Sequence, residues 1–279
     1  MSTVLGQEMS RDPIQQLLPR VIERARERPT ARSKELRIAG LVPLSSVDWP
    51  EHLVATVFCQ GCPWRCTYCH NTAILDPRTP GAVPFEQLLQ LLERRRGLLD
   101  GVVFSGGEAT MQHSLVPAIR SVRELGFAVG LHTGGAFPSR LQALLGVDAE
   151  GNRTGTQLVD WVGFDVKAAP DGYAGTVGRP GAWQRTRRSL RMLLASSVEH
   201  ELRMTVTPAL LEQLPSVVST VAQQGGTHLV LQRARPDGAD PAFAAQLAAV
   251  PDWSERFDRA GERAAAVGER LGVQVIPRG

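Results

Sequence analysis

From residue 53 onward, short β-branched apolar runs alternate with stretches whose apolar positions recur every three or four residues. The first pattern has the period of a strand and the second that of an amphipathic helix, so their alternation predicts βαβ units and a parallel sheet. Strands are predicted at residues 53–58, 101–104, 128–131, 158–162, 201–206 and 228–231. Between them, Phe85, Leu88, Leu89 and Leu92 share one face of a helix over 85–96, and Leu115, Ile119, Val122 and Leu125 do so over 111–125. Further crossover helices are predicted at 185–196 and 211–224, and Trp253, Phe257, Ala260, Ala264, Val267 and Leu271 mark a last one. Upstream, Ile14, Leu17, Leu18, Val21, Ile22 and Ala25 give residues 1–35 a helical face that Pro19 should kink, an N-terminal helical extension that covers core or docks a partner. Residues 36–49, with Ser and Pro interruptions, read as an irregular lead-in, and residues 147–156 and 168–180 as loops. The chain thus divides into the extension 1–35, a parallel α/β unit over 36–235 and a C-terminal helical extension over 236–279 packed on it.

Composition narrows the class. With 279 residues and 43% hydrophobic content a sizeable core is available, which argues against disorder. The 31 basic residues are mixed with 28 acids, and a net charge of +3 gives no expectation of a nucleic-acid partner. The sequence shows no apolar leader after a basic start and no run near the ~20 apolar residues of a membrane helix, so a soluble, cytoplasmic protein is expected.

All four cysteines fall in the stretch FCQGCPWRCTYCHN at 58–71. Thiols this close cannot staple distant segments, and in a reducing compartment they point to metal. Cys62, Cys66 and Cys69 form C-x3-C-x2-C directly after the first predicted strand, a spacing that suits zinc or an iron–sulfur cluster. A structural zinc would take a fourth ligand from Cys59 or His70; otherwise Cys59 reads as a small buried apolar residue.

In a parallel sheet ligands gather at the carboxyl ends of the strands, and the remaining polar motifs fall there. Ser105-Gly106-Gly107-Glu108 ends the second predicted strand, where glycines allow close backbone approach and a carboxylate can accept from an ammonium. His132-Thr133-Gly134-Gly135 ends the third, with His132 read as a hydrogen-bonded wall residue. Asp165-Val166-Lys167 follows the fourth and sets opposite charges on one side of an extended segment, Arg203 lies in the fifth, and His228 and Gln232 flank the sixth.

The cysteine loop, with its Tyr68-Cys69-His70-Asn71 ending, resembles the radical S-adenosylmethionine (SAM) superfamily, and within it the activating enzymes of glycyl radical enzymes. The lead-in Leu44-Ser45-Ser46-Val47-Asp48-Trp49-Pro50 is similar to that of anaerobic ribonucleoside-triphosphate reductase activating proteins. The resemblance spans about residues 36–235 and implies a partial (βα)6 barrel with parallel strands. It implies that Cys62, Cys66 and Cys69 hold one [4Fe-4S] cluster, leaving one iron open to SAM. It further implies SAM contacts from Tyr68, Gly106, Gly107, Glu108, Thr133, Asp165, Lys167 and Arg203, with no catalytic side chain beyond this site. The family's proline after the GGE element is replaced here by Ala109, and no cysteine follows Cys69 to bind further clusters. The implied activity is that of a radical SAM oxidoreductase: generation of a glycyl radical on a partner, most simply the anaerobic ribonucleotide reductase large subunit. A flavodoxin- or ferredoxin-like protein is the implied electron donor. The rivals are a deazapurine-type synthase acting on a small molecule and a non-catalytic zinc or iron–sulfur protein.

Overall fold

The computed structural model describes residues 35–279. One sheet holds eight strands in sequence order: β1 (Ile38–Ser45), β2 (Val54–Cys59), β3 (Gly101–Gly106), β4 (Ala128–Thr133), β5 (Trp161–Asp165), β6 (Glu199–Val206), β7 (His228–Arg233) and β8 (Gln274–Arg278). β1 is antiparallel to β2 and every later pair is parallel. The intervening helices are α1 (Phe85–Arg94), α2 (Leu115–Glu124), α3 (Pro138–Leu145), α4 (Tyr173–Val177), α5 (Ala182–Ala195), α6 (Leu214–Gln223), α7 (Pro241–Ala248) and α8 (Trp253–Leu271). Because each parallel neighbour is also the next strand in sequence, right-handed crossovers carry the helices to one face. The sheet curls into a barrel left open between β1 and β8, the partial barrel expected from the sequence.

Strand parity divides the chemistry. Ala55, Val57 and Cys59 of β2, Val102 and Phe104 of β3, Val129 and Leu131 of β4, and Val162 and Phe164 of β5 join the helices in one large apolar core. The alternate positions point inward, where Val54, Val103 and Trp161 form a separate cluster with Trp49. Trp49 stacks on Trp161 with ring centroids 5.6 Å apart, flooring the barrel. One step along the same parity brings Ser105, His132, Asp165 and Arg203 above that floor. Gly163, also inward, lies so close to Arg203 that a Cβ there would come within 2.9 Å of its guanidinium carbon.

The six predicted strands and the helix at Trp253–Leu271 are all present, and the structure adds elements. The lead-in at 36–49 is β1, an edge strand broken by register shifts after Ile38 and Val42, with Pro43 placed where no ladder partner needs its missing N–H. The C-terminal segment holds α7 and α8 and then β8, which extends the sheet beside β7. β5 starts at Trp161 rather than at 158, because the Asp160 carboxylate takes the Val129 N–H at 2.8 Å and holds Leu158 and Val159 off the ladder. The helix expected from 111 begins at Leu115, after a 3-10 turn at Ala109–Met111. Short helices α3, α4 and α7 were not anticipated. The extension expected at 1–35 lies, but for Glu35, outside the described residues.

Candidate active site

The cysteine loop is closed on itself before it presents any thiol. Gln60 at its start donates to the Ile74 carbonyl at 3.0 Å and the Asp76 carbonyl at 2.9 Å, and the Gly61 and Cys62 N–H groups bond Ile74 O and Leu75 O. Beneath it runs the end of β3: Gly107 N–H donates to Cys59 O at 3.0 Å and Glu108 N–H to Gly61 O at 2.9 Å. A Cβ on Gly107 would lie 2.3 Å from Gly61 O, so only glycine lets the two segments meet, and Gly106 beside it has φ +109°. Asn71 ties the far end, donating to Gly106 O at 3.4 Å.

Cys62, Cys66 and Cys69 thereby line one cavity of about 200 Å³ together with Tyr68, Glu108, Thr133, Asp165, Lys167 and Arg203. All three thiols are free. Burial pushes each upward, Cys62 to about 12, and the neighbouring thiols add to the effect at Cys62 and Cys66. Such thiols become ligands when a cationic centre offsets the lost hydration. Among the described residues no three or more His, Cys, Asp or Glu side chains converge tightly enough to grip a single ion. Cys59 belongs to the other parity: fully buried in the helix-side core, it lines no part of the cavity. Among the described residues two buried polar atoms have no partner, the Tyr68 hydroxyl and His70 Nε2, and both residues line the cavity.

Glu108 is only 2% exposed, and its carboxylate is already engaged. It accepts from the Thr110 hydroxyl and N–H, from the Thr133 hydroxyl at 2.7 and 2.9 Å, and from Gly134 N–H at 3.1 Å. Burial raises its pKa against those hydrogen bonds. The carboxylate therefore clamps the ends of β3 and β4 together, and this clamp takes over the stiffening that a proline at Ala109 would give.

The opposite wall is a charged chain. Asp165 accepts from Lys167 Nζ and from Arg203 Nε, each at 3.0 Å. Burial alone would raise the Asp165 carboxyl, but the two cations hold it well below the usual carboxylate range. The Lys167 ammonium also stands 5.9 Å from the Tyr68 ring centre. Arg203 Nη1 lies 3.2 Å from His132 Nε2, which is 2.7 Å from the Asp48 carbonyl, while His132 Nδ1 is 3.1 Å from the Ser105 hydroxyl. The carbonyl assigns the proton to Nε2, so Nδ1 accepts from Ser105. Burial, and then the Arg203 charge, lower His132 to about 4. Below pH ~6.5 the unfolded chain takes up a proton that folded His132 refuses, so stability falls as pH drops from ~6.5 toward 4. A His132→Gln chain lacks this slope. Urea midpoints at pH 7.5 and 5 are expected to show wild type losing about 1 to 2 kcal/mol more than the variant.

Every site residue expected from the sequence reaches the cavity, whereas His228 and Gln232 do not line it. Sequence reasoning missed Trp64, Leu75 and Thr205, and named Asn71 and Ser105 only within their motifs, with no site role. Ser105 and Thr205 were legible in principle, each lying two residues from another inward position on its strand.

A family model described as the Radical SAM superfamily matches residues 56–217. A Methanocaldococcus jannaschii protein named provisionally as a glycyl-radical enzyme activating enzyme is 32% identical over 137 residues, 49% of this chain and 52% of that one. The pyruvate formate-lyase-activating enzyme of Clostridium pasteurianum is 34% identical over 149 residues, 51% of this chain and 58% of its own. The chain thus spans about half the length of the curated relatives it matches. Among solved structures, Streptococcus suis SuiB bound to precursor peptide SuiA superposes with a TM-score of 0.60 at 13% identity, over 81% of this chain and 48% of that one, a likeness of fold.

Proposed function

The chain belongs to the radical SAM superfamily, matched over residues 56–217, and from that premise we propose that it is an activating enzyme that places a glycyl radical on a partner protein. One observation carries the reading: three thiols on a glycine-closed loop share a cavity with the two carboxylates of Glu108 and Asp165 and the two cations of Lys167 and Arg203. Radical SAM enzymes use a [4Fe-4S] cluster and SAM, and this donor set fits both. When bound and reduced, the cluster supplies the electron that divides SAM into methionine and a 5′-deoxyadenosyl radical.

The chain's own residues do the rest. Cys62, Cys66 and Cys69 would hold the cluster, and the self-closed loop keeps them in place. Arg203 and Lys167, pre-set by Asp165, would face the carboxylate of SAM, and Asp165 the ribose hydroxyls. The Gly106 and Gly107 backbone and the Glu108 clamp would meet its amino end. Tyr68, buried with its hydroxyl unpaired, and Thr133 complete the wall. The tryptophan floor of Trp49 and Trp161 excludes water from below.

The relatives' printed names support a glycyl radical partner. Within that class the Leu44–Pro50 lead-in favours the anaerobic ribonucleotide reductase large subunit, with a flavodoxin- or ferredoxin-like donor in the cytoplasm. Among the described residues no helix is long and apolar enough to cross a membrane. On this reading residues 36–235 are the catalytic unit, residues 236–279 pack helices against it and add β8 to its sheet, and residues 1–35 are an extension.

Anaerobically reconstituted protein, given dithionite, SAM and the reductase large subunit, is expected to release 5′-deoxyadenosine and to raise a glycyl doublet in the partner's electron paramagnetic resonance spectrum. Zinc in place of iron with SAM left intact would sink the enzyme reading. Cleavage that needs a pterin-like small molecule and leaves the protein partner silent would replace it with the synthase reading.

A further inference from the structure

Between Gly172 and Val198 the chain carries five arginines and no acid, a larger charge than the whole protein's net +3. The structure gathers them. Arg185, Arg187, Arg188 and Arg191 all lie exposed on α5, whose other side buries Thr186, Ser189, Leu190, Met192 and Leu193. Arg185, Arg188 and Arg191 recur every three residues and so form one stripe, and none of the four makes an ion pair among the described residues. Like charges so spaced repel, and Arg185 sits near the positive end of the helix dipole, so the arrangement costs stability in the isolated protein.

The stripe adjoins the cysteine loop. Exposed Arg65, between Cys62 and Cys66, donates its backbone N–H to Val177 O at the end of α4, and a Cβ on Gly178 would touch the Arg65 side chain at 3.3 Å. Arg179 follows, also exposed. Within the same stretch of α5, Thr186 and Ser189 donate to the carbonyls of Gly134 and Gly135, on the loop whose Gly134 N–H holds Glu108. Asp76, a carboxylate that feels the Arg65 charge, is taken up by Arg78 at 2.9 Å. A cationic face thus begins on the loop that carries the thiols and runs along α5.

We infer that this face, Arg65 and Arg179 with the α5 stripe, is the docking surface for an acidic one-electron carrier protein, seated on the outside of the cysteine loop. The inference rests on the proposed cluster, which needs an electron from outside. An anionic carrier supplies the charge the arginines lack, and seating it against this loop puts its redox group on the cluster side of the molecule. The electron passes from the reduced carrier, which becomes oxidised by one electron, to the cluster; no bond forms or breaks.

The test uses the reconstituted full chain and an FMN-loaded acidic flavodoxin, with binding read by flavin absorbance and anisotropy between 20 and 300 mM salt, values on the order of those at which surface charge is screened. Arg185→Glu/Arg188→Glu is expected to weaken binding at least about tenfold at low salt and to flatten its salt dependence. Arg94→Glu/Arg96→Glu, at the far end of α1 where the chain enters the amino end of β3, changes charge equally and is expected to leave binding within about twofold. Dithionite-driven 5′-deoxyadenosine release should be unchanged in both variants, which separates this inference from the enzyme reading: loss of that release in wild type refutes the enzyme, not the surface. The milder Arg185→Gln/Arg188→Gln should weaken binding by an intermediate factor if the stronger variant misfolds. Equal weakening by the α1 and α5 variants, a salt-independent affinity, or tighter capture of a 20-nucleotide RNA (a length on the order of one strand site) than of flavodoxin would overturn the assignment.

Discussion

Cys62→Ala, Cys66→Ala and Cys69→Ala chains are each expected to emerge from anaerobic reconstitution without the brown absorbance of a four-iron cluster and to release no 5′-deoxyadenosine above background. The reason is geometric. Three thiols line the cavity, Cys59 points to the helix-side core, and no other cysteine exists to replace a lost ligand. Cys59→Ala supplies the contrast. It removes a buried sulfur at a cost of about 1 kcal/mol and should leave iron content and SAM cleavage near wild type. If Cys59→Ala loses the cluster while one of the other three keeps it, the ligand assignment fails. Iron and sulfide analysis with the visible spectrum reads both outcomes.

Asp165→Ala is expected to destabilise the fold by about 2 to 3 kcal/mol at pH 7, seen as a lower urea midpoint with unchanged slope. Among the described residues Asp165 is the one carboxylate bonded to both Lys167 and Arg203, whose side chains are only 16% and 10% exposed. Its removal leaves two poorly hydrated cations facing each other. Adding Lys167→Met should recover part of the loss, since the second substitution removes a charge the first left unpaired. The carboxyl's folded pKa is depressed, so its contribution is complete above the ordinary carboxylate value near 4 and lost as pH falls below it. The gap between wild type and Asp165→Ala should therefore narrow in acid. A gap that is absent at pH 7 would mean that the three charges do not act as a unit.

The sequence and the structure agree where periodicity was long and uninterrupted. β2 to β7 and α8 announce themselves because both faces of the strands are buried and the helix repeats its apolar stripe over five turns. β1 escaped notice because two register shifts and Pro43 break its alternation, and β8 because its five residues are nearly all exposed. The cysteine loop was legible from spacing alone, yet spacing could not say which of four thiols faced inward. Parity along β2 decides that, and parity needs the strand's true end at Cys59. Glu108 shows the opposite limit: its place at a strand tip was readable, but its engagement by Thr110, Thr133 and Gly134 joins segments that the sequence does not place together. Charge behaved likewise. A composition of mixed sign concealed an α5 face that is cationic throughout.

The open barrel has a further consequence, for solubility. Among the described residues the sheet does not close, which leaves two rims of free backbone groups, each a template on which another chain could build a strand. Both rims here carry a proline, Pro43 on β1 and Pro277 on β8, and the start of β1 is further capped where Ala82 and Val83 donate to Ile38 O. Each ring interrupts the row of donors that a stacking partner would need. The open edges are thereby kept from becoming sites of self-association at the concentrations a cell maintains.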